Sequence, residues 1–252
     1  MAPHPYYPLD LKLHGYTENA AGLASLFAGF STGVSVILGT ALFLSRRYRP
    51  SINARDGCLV LWFVLSGSLH CFFEGYFLVN HSRMPAAQDF FGQLWKEYAK
   101  SDSRYLAADP LVLTLETITV LIWGPLSFLT SWCIVSESPY RLPLQALVST
   151  GHLYSDTLYY VTSFLDMRRG VLHSRPEALY FWVYFVVMNA LWIIVPACKW
   201  IRTTTDMRGD MTNDCYQISS TKVSRGAPRR SPRLKGRPRR ARRQDPARKT
   251  RE

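Results

Sequence analysis

The chain alternates long apolar stretches with shorter polar ones, and the apolar stretches set its organisation. Five runs, residues 21–44, 57–79, 110–135, 142–165 and 179–201, each reach the roughly 20 residues a helix needs to cross a bilayer. The pattern predicts an all-α, polytopic membrane protein whose five transmembrane helices form one bundle over residues 21–201. Residues 1–20 carry Pro3, Pro5 and Pro8, which oppose a regular helix, together with Tyr6 and Tyr7, which suit headgroup level. An interfacial N-terminal segment is the expectation there. It lacks a basic start followed by a short apolar core, so by pattern it is not a cleavable signal peptide, and run 21–44 is expected to act as the targeting signal. Gly29 and Gly33, four apart, predict close helix packing in the first run. The stretch from Leu94 to Tyr105 mixes charges and apolar residues and predicts a short surface helix that partly caps a cavity. Pro125 predicts a kink in the third run.

Polar positions inside these runs are few, and they cluster by helical spacing. His70 and Glu74 are four apart and share one face. Glu116, Thr119 and Trp123 form a stripe, His152 and Asp156 are again four apart, and Asn189 and Trp192 are three apart. Ionisable groups at membrane depth are costly and usually face a protein interior or cavity, so the helices are expected to close around one pocket holding these groups. Removal of water disfavours the charged form of a carboxyl, which lets a buried glutamate serve as an acid while a second carboxylate or a histidine serves as base. A tryptophan face attracts a cation. Acid, base and ring together suit proton addition to, and removal from, a hydrophobic alkene. Each group also has a purely structural alternative. His70 and Glu74 can satisfy each other between helices, and Glu116 can be a lone carboxyl bonded to backbone. Asn189 can join two helices, Trp192 can be packing, and His152 with Asp156 can be a structural or cavity-rim pair. Their number in one small bundle favours a shared site.

Charge changes the picture only at the C-terminal end. The net charge of +12 divides into +1 over residues 1–201 and +11 over residues 202–252. The basic stretch has no hydrophobic periodicity, predicts a disordered tail and suits an anionic cytoplasmic membrane surface. Its arginines suggest nucleic acid in isolation, but five spans hold the chain in a membrane, so no nucleic-acid partner is expected. Basic residues Arg46, Arg47, Arg49 and Arg55 follow the first run. Together with the tail they predict those ends as cytoplasmic and the N-terminus as lumenal. Five cysteines show neither a CxxC nor a Cys/His metal pattern. They are expected as buried apolar residues, with no disulfide framework and no metal site.

The quoted stretches also carry a resemblance. His4-Pro-Tyr-Tyr-Pro8, His70-x-x-x-Glu-Gly-Tyr-Phe77, Gln93-Leu-Trp-Lys-Glu-Tyr-Ala-Lys100, Asp102-Ser-Arg-Tyr105, Glu116-Thr-Ile-Thr119, Trp123-Gly-Pro-Leu-Ser127, Tyr180-Phe-Trp-x-Tyr-Phe185 and Met188-Asn-Ala-Leu-Trp192 resemble the emopamil-binding protein family of sterol delta8-delta7 isomerases. The likeness covers roughly residues 3–200. It implies a five-helix enzyme of the endoplasmic reticulum membrane that moves a sterol ring double bond from carbons 8–9 to carbons 7–8, without a cofactor. It also implies binding of cationic amphiphilic inhibitors that mimic a carbocation. The family's functional set falls on His70, Glu74, Glu116 and Trp192 as catalytic residues, with Thr119 and Asn189 orienting the carboxyls. Tyr105, Trp123 and Asp156 join them as expected substrate contacts. In the implied mechanism Glu74, or the His70–Glu74 pair, protonates carbon 9. Trp192 faces the cation at carbon 8 and Glu116 takes a proton from carbon 7, with the two glutamate roles interchangeable. Residues 152–177 match the family pattern only loosely, which leaves open another polycyclic terpenoid as substrate. A binder of sterols or amphiphilic drugs without catalysis, and a proton-coupled transporter, are the rival readings. A homodimer is the assembly to test.

Overall fold

A computed structural model describes residues 3–226, and among these all regular structure is helical, with no strand. Helix α1 covers Leu23–Tyr48 and α2 covers Ala54–Ala86. A short helix, α3, covers Phe90–Tyr98, and α4 covers Pro110–Val135. Helix α5 covers Arg141–Arg168. Helix α6 opens as a π-helical stretch, Leu179–Met188, and continues as Asn189–Gly226. The chain divides into two units, Met1–Gly209 and Asp210–Glu252. Of the second, the described residues 210–226 are helical.

Helix starts follow local chemistry. Asn53 caps α2 by accepting from the Asp56 amide at 2.8 Å, and Asp89 caps α3 through the Gly92 amide at 3.1 Å. Asp109 caps α4 through the amides of Leu111 and Val112, with Pro110 in the first turn, where its missing N–H costs nothing. Among the described residues four helices are long and apolar enough to cross a membrane: α1, α2, α4 and Leu179–Gly209 of α6. Their outer faces are apolar. Val36, Phe43, Val79, Leu121, Trp182 and Ile194 are all more than half exposed, a surface that suits lipid far better than water.

The fifth predicted span behaves differently. Helix α5 has 28 residues, about 42 Å at 1.5 Å per residue, but its composition is too polar to qualify beside the other four. The reason lies in its inner face. Gln145, Ser149, His152 and Ser163 are buried, all on one side of the helix. Polar side chains that face protein lower the hydropathy of a helix without exposing it to lipid.

Four further expectations are corrected. The stretch from Leu94 to Tyr105 is not a surface helix. Trp95, Lys96, Asp102 and Arg104 are all buried: residues 3–22 cross over Lys96 and Ser103 as a strap, Trp95 packs on Phe73 and Phe77 of α2, and Arg104 packs against α5. The Tyr6 hydroxyl donates to the Lys96 carbonyl at 3.0 Å, Ser103 Oγ donates to the Tyr7 carbonyl, and the Lys96 ammonium donates to the Thr17 carbonyl at 2.7 Å. Burial lowers the Lys96 pKa below its usual value. Tyr6 is thus core, not a headgroup anchor. Second, the helix after Thr203 does not break where a disordered tail was expected from residue 202; it continues to Gly226, since extending an existing helix is far easier than nucleating one. The arginine-rich stretch 227–252 lies outside the described residues. Third, Cys133 is buried and Cys71 half-buried, but Cys58 and Cys198 are exposed. Gly29 also admits the Phe90 ring of α3 rather than a neighbouring helix backbone, and Gly33 faces open space.

Helices α2 and α4 lie side by side, and each carries a π turn at the same level, Leu69–Glu74 in α2 and Thr119–Trp123 in α4. The second has a visible cause. A proline ring clashes with the carbonyl four residues earlier, and the wider π turn before Pro125 makes room for it, with the Gly124 amide reaching back to the Thr119 carbonyl. Gly124 is also the point of closest approach. A Cβ there would lie 2.5 Å from Cys71 Sγ and 3.2 Å from His70 Cβ. Gly124→Ala is expected to destabilise the protein by about 1–3 kcal/mol, as overpacking does. It should also displace His70. Thermal melting together with ligand-binding or turnover measurements checks this, and a variant indistinguishable from wild type in both refutes the tight contact.

Candidate functional site

The π turns place His70 and Glu74 of α2 at one level with Thr119 and Trp123 of α4. A cavity of about 190 Å³ lies between α2, α4, α5 and α6. His70, Glu74, Glu116 and Trp192 line it, and so do Thr119 and Asn189. Tyr105, Trp123 and Asp156 complete the predicted set on the same cavity wall. A second, apolar void of about 70 Å³ shares Phe30, Phe73, Tyr98 and Met188 with it.

At the acidic end, His70 Nδ1 lies 2.9 Å from both carboxylate oxygens of Glu74. The Glu116 carboxyl lies against that of Glu74 and accepts from the Tyr105 hydroxyl at 2.9 Å. Burial raises the Tyr105 phenol well above its usual pKa, with the nearby Glu116 carboxyl adding to this, so it remains a donor. Two carboxyls side by side, one tied to an imidazole and the other to a phenol, form a unit in which one can give a proton while the other receives one.

Thr119 and Asn189 are not bonded to either carboxyl. Thr119 Oγ1 donates to its own helix at the Leu115 carbonyl, 2.8 Å away. Asn189 donates to the Phe185 carbonyl at 2.8 Å and accepts from Tyr98 at 3.2 Å. His70 and Tyr105 make the carboxyl contacts that the sequence had suggested for Thr119 and Asn189. Trp192 tilts against Trp62, ring centres 5.5 Å apart. The indole nitrogens of Trp192 and Trp123 are buried without partners, as are His152 Nδ1 and Asp156 Oδ2. His152 and Asp156 do not pair. Instead His152 Nε2 meets His70 Nε2 at 3.0 Å, a contact across the bundle that helical spacing cannot reveal.

Tyr105 is held from below by a buried ion pair. Arg104 binds Asp102 through two nitrogens at 2.6–3.0 Å and reaches Ser163 on α5 at 2.5 Å. Its guanidinium sits 5.0 Å over the Tyr159 ring. Burial opposes the charge, but Asp102 outweighs it and the Arg104 pKa is raised.

The fold and cavity define an all-helical protein, with four helices able to cross a membrane, that holds paired carboxyls and an imidazole in an apolar chamber. The family pattern of EXPERA, the expanded EBP superfamily, matches residues 90–203. The mouse 3-beta-hydroxysteroid-Delta(8),Delta(7)-isomerase is 36% identical over 196 residues, 77% of this chain and 84% of the relative. A rice protein named as a probable 3-beta-hydroxysteroid-Delta(8),Delta(7)-isomerase is 32% identical over 80% of this chain and 90% of its own length. An isomeliandiol synthase of Ailanthus altissima is 36% identical over 81% of this chain and 92% of its own length. The chain belongs to the EXPERA family.

Proposed function

We infer that this protein is a sterol double-bond isomerase, moving the ring alkene from the 8–9 to the 7–8 position. The observation that carries the reading is the Glu74–Glu116 carboxyl pair, held by His70 and Tyr105, in an apolar cavity beside Trp192. One carboxyl protonates carbon 9. The cation that forms at carbon 8 is stabilised over the Trp192 ring, an interaction of about 2 kcal/mol or more when dry. The other carboxyl takes a proton from carbon 7. One proton enters and one leaves, so no redox cofactor is needed. Thr119, Asn189, Trp123 and Asp156 contact the ring system. A bulky amphiphile with an ammonium at the cation position is the inhibitor class this site fits. The similarity to a plant isomeliandiol synthase supports a second substrate class, other polycyclic terpenoids, on the same acid–base set.

Helix α5 joins the four apolar helices as a fifth span, its polar face turned to the cavity. The protein resides in the endoplasmic reticulum membrane, with the N-terminal strap lumenal and residues 202–252 cytoplasmic. The basic residues after α1 and the +11 charge of residues 202–252 support this orientation.

The test is turnover of a delta8 sterol in deuterated water by a yeast strain that lacks its own isomerase and expresses this chain. The expected product is the delta7 sterol with deuterium at carbon 9. No product from the wild-type chain, in cells that contain the protein and the sterol, would overturn the reading in favour of a non-catalytic binder.

A further inference from the structure

Helix α6 carries a third π stretch, Leu179–Met188, and the α-helical part that holds Asn189 and Trp192 begins where it ends. Turns of this width are rare in helices and are often found at functional sites. In α4 a proline accounts for the π turn. Pro196 of α6 cannot do the same, because the carbonyl it crowds is that of Trp192, beyond the π stretch. Something else holds α6 out of ordinary α spacing.

Side chains at the junction supply it. Where bonds to the fifth residue on give way to bonds to the fourth, a carbonyl is left without a regular backbone partner, and at membrane depth no water replaces it. The Asn189 side-chain amide donates to the Phe185 carbonyl at 2.8 Å and to the Tyr184 carbonyl at 3.3 Å, and its oxygen accepts from the Tyr98 hydroxyl at 3.2 Å. From α5, the Tyr160 hydroxyl donates to the Val186 carbonyl at 2.7 Å and lies 3.1 Å from that of Phe185. The same device recurs in α2, where the Trp95 indole N–H donates at 2.9 Å to the Phe73 carbonyl inside the π turn. Before the junction, α6 is fixed to α5 by rings: Phe185 lies 5.4 Å from Tyr160 and 5.9 Å from Tyr159, centre to centre. Without the side-chain donors, the carbonyls regain partners most readily by reverting to α spacing. That winds the stretch more tightly and turns everything after Met188 about the helix axis, Trp192 included.

We propose that Tyr160 is a positioning residue: its hydroxyl, with the Asn189 amide, holds α6 in π spacing and so keeps the Trp192 ring at the cavity. The consequence for turnover rests on the isomerase reading; the spacing of α6 does not.

The test uses the full chain in lipid nanodiscs with 5-fluorotryptophan in place of tryptophan, read by fluorine magnetic resonance. Loss of a signal in Trp192→Phe assigns that residue, and the exposed Trp182, before the junction, is the internal reference. Nitroxide-bearing lipid broadens groups that face the bilayer. Wild-type Trp192 is expected as one signal, less broadened than Trp182. Tyr160→Phe keeps the ring and its stack on Phe164 and removes only the hydroxyl. It should shift or split the Trp192 signal and increase its broadening, with Trp182 changed less. Incorporation of 4-aminophenylalanine at position 160 supplies a donor in the same place and should restore the wild-type signal; 4-fluorophenylalanine fills the volume without donating and should not. A Trp192 signal unmoved in Tyr160→Phe, or restored equally by the two analogues, overturns the proposal. So does failure of both non-donor variants to fold, which would make Tyr160 merely structural. In turnover, Tyr160→Phe should lower kcat about ten- to thirtyfold, as expected when the cation forms away from its aromatic face, with KM changed less than about twofold. The amine analogue should recover most of the rate. If wild-type protein fails to convert sterol, the isomerase reading falls, while the fluorine spectrum still decides the spacing of α6.

Discussion

Glu116→Gln is expected to lower isomerisation by about 10²–10⁴-fold, the range for losing one proton-transfer group. The substitution keeps size and shape, and the glutamine oxygen can still accept from the Tyr105 hydroxyl, now 2.9 Å from the carboxylate. The amide can neither give nor take the proton that the proposed mechanism routes through this carboxyl. The protein should therefore fold, melt close to wild type and bind sterol with little change. Turnover of a delta8 sterol by purified protein, together with a melting curve, measures this. Activity within tenfold of wild type would remove Glu116 from the chemistry. A protein that fails to fold would instead show that the carboxyl pair is chiefly structural.

Arg104→Met is expected to cost about 3–5 kcal/mol, because removing one partner of a buried ion pair leaves the other charge uncompensated. For a chain of this size that lowers the melting temperature by about 10 °C. The Asp102 carboxylate would remain inside with its guanidinium gone, and the bridge to Ser163 on α5 would be lost as well. The effect should reach the site, since the next residue, Tyr105, holds Glu116. Changing Asp102→Asn in the same chain should recover part of the stability, because the stranded charge is then absent. A single variant that melts within about 2 °C of wild type would mean that the Asp102–Arg104 pair does not anchor the segment beneath the cavity.

Much of the site is legible from spacing alone. His70 with Glu74, the stripe from Glu116 to Trp123, and Asn189 with Trp192 were all recognisable because a polar group in a lipid-spanning run needs an interior to face. Helical geometry then places groups three or four apart on one side. The same rule misled at His152 and Asp156. They do share a face but do not pair with each other, and His152 meets His70, 82 positions earlier in the chain. Thr119 and Asn189 likewise spend their hydrogen bonds on nearby backbone and on Tyr98, contacts that depend on rotamers rather than on spacing.

The order of apolar and polar residues by itself determined an all-helical chain, most helix positions and which polar groups line the cavity. Side-chain burial in a membrane obeys a strong local constraint, so its signature is written directly in the residue order. Only the tertiary structure decided that Leu94–Tyr105 is core beneath an N-terminal strap, since an amphipathic segment looks the same whether water or another segment covers its polar side. It also decided the facing π turns of α2 and α4 and the Gly124 contact between them. Those turns arise where two helices must approach and a proline must be accommodated at one level, and that condition belongs to the pair of helices rather than to either one alone.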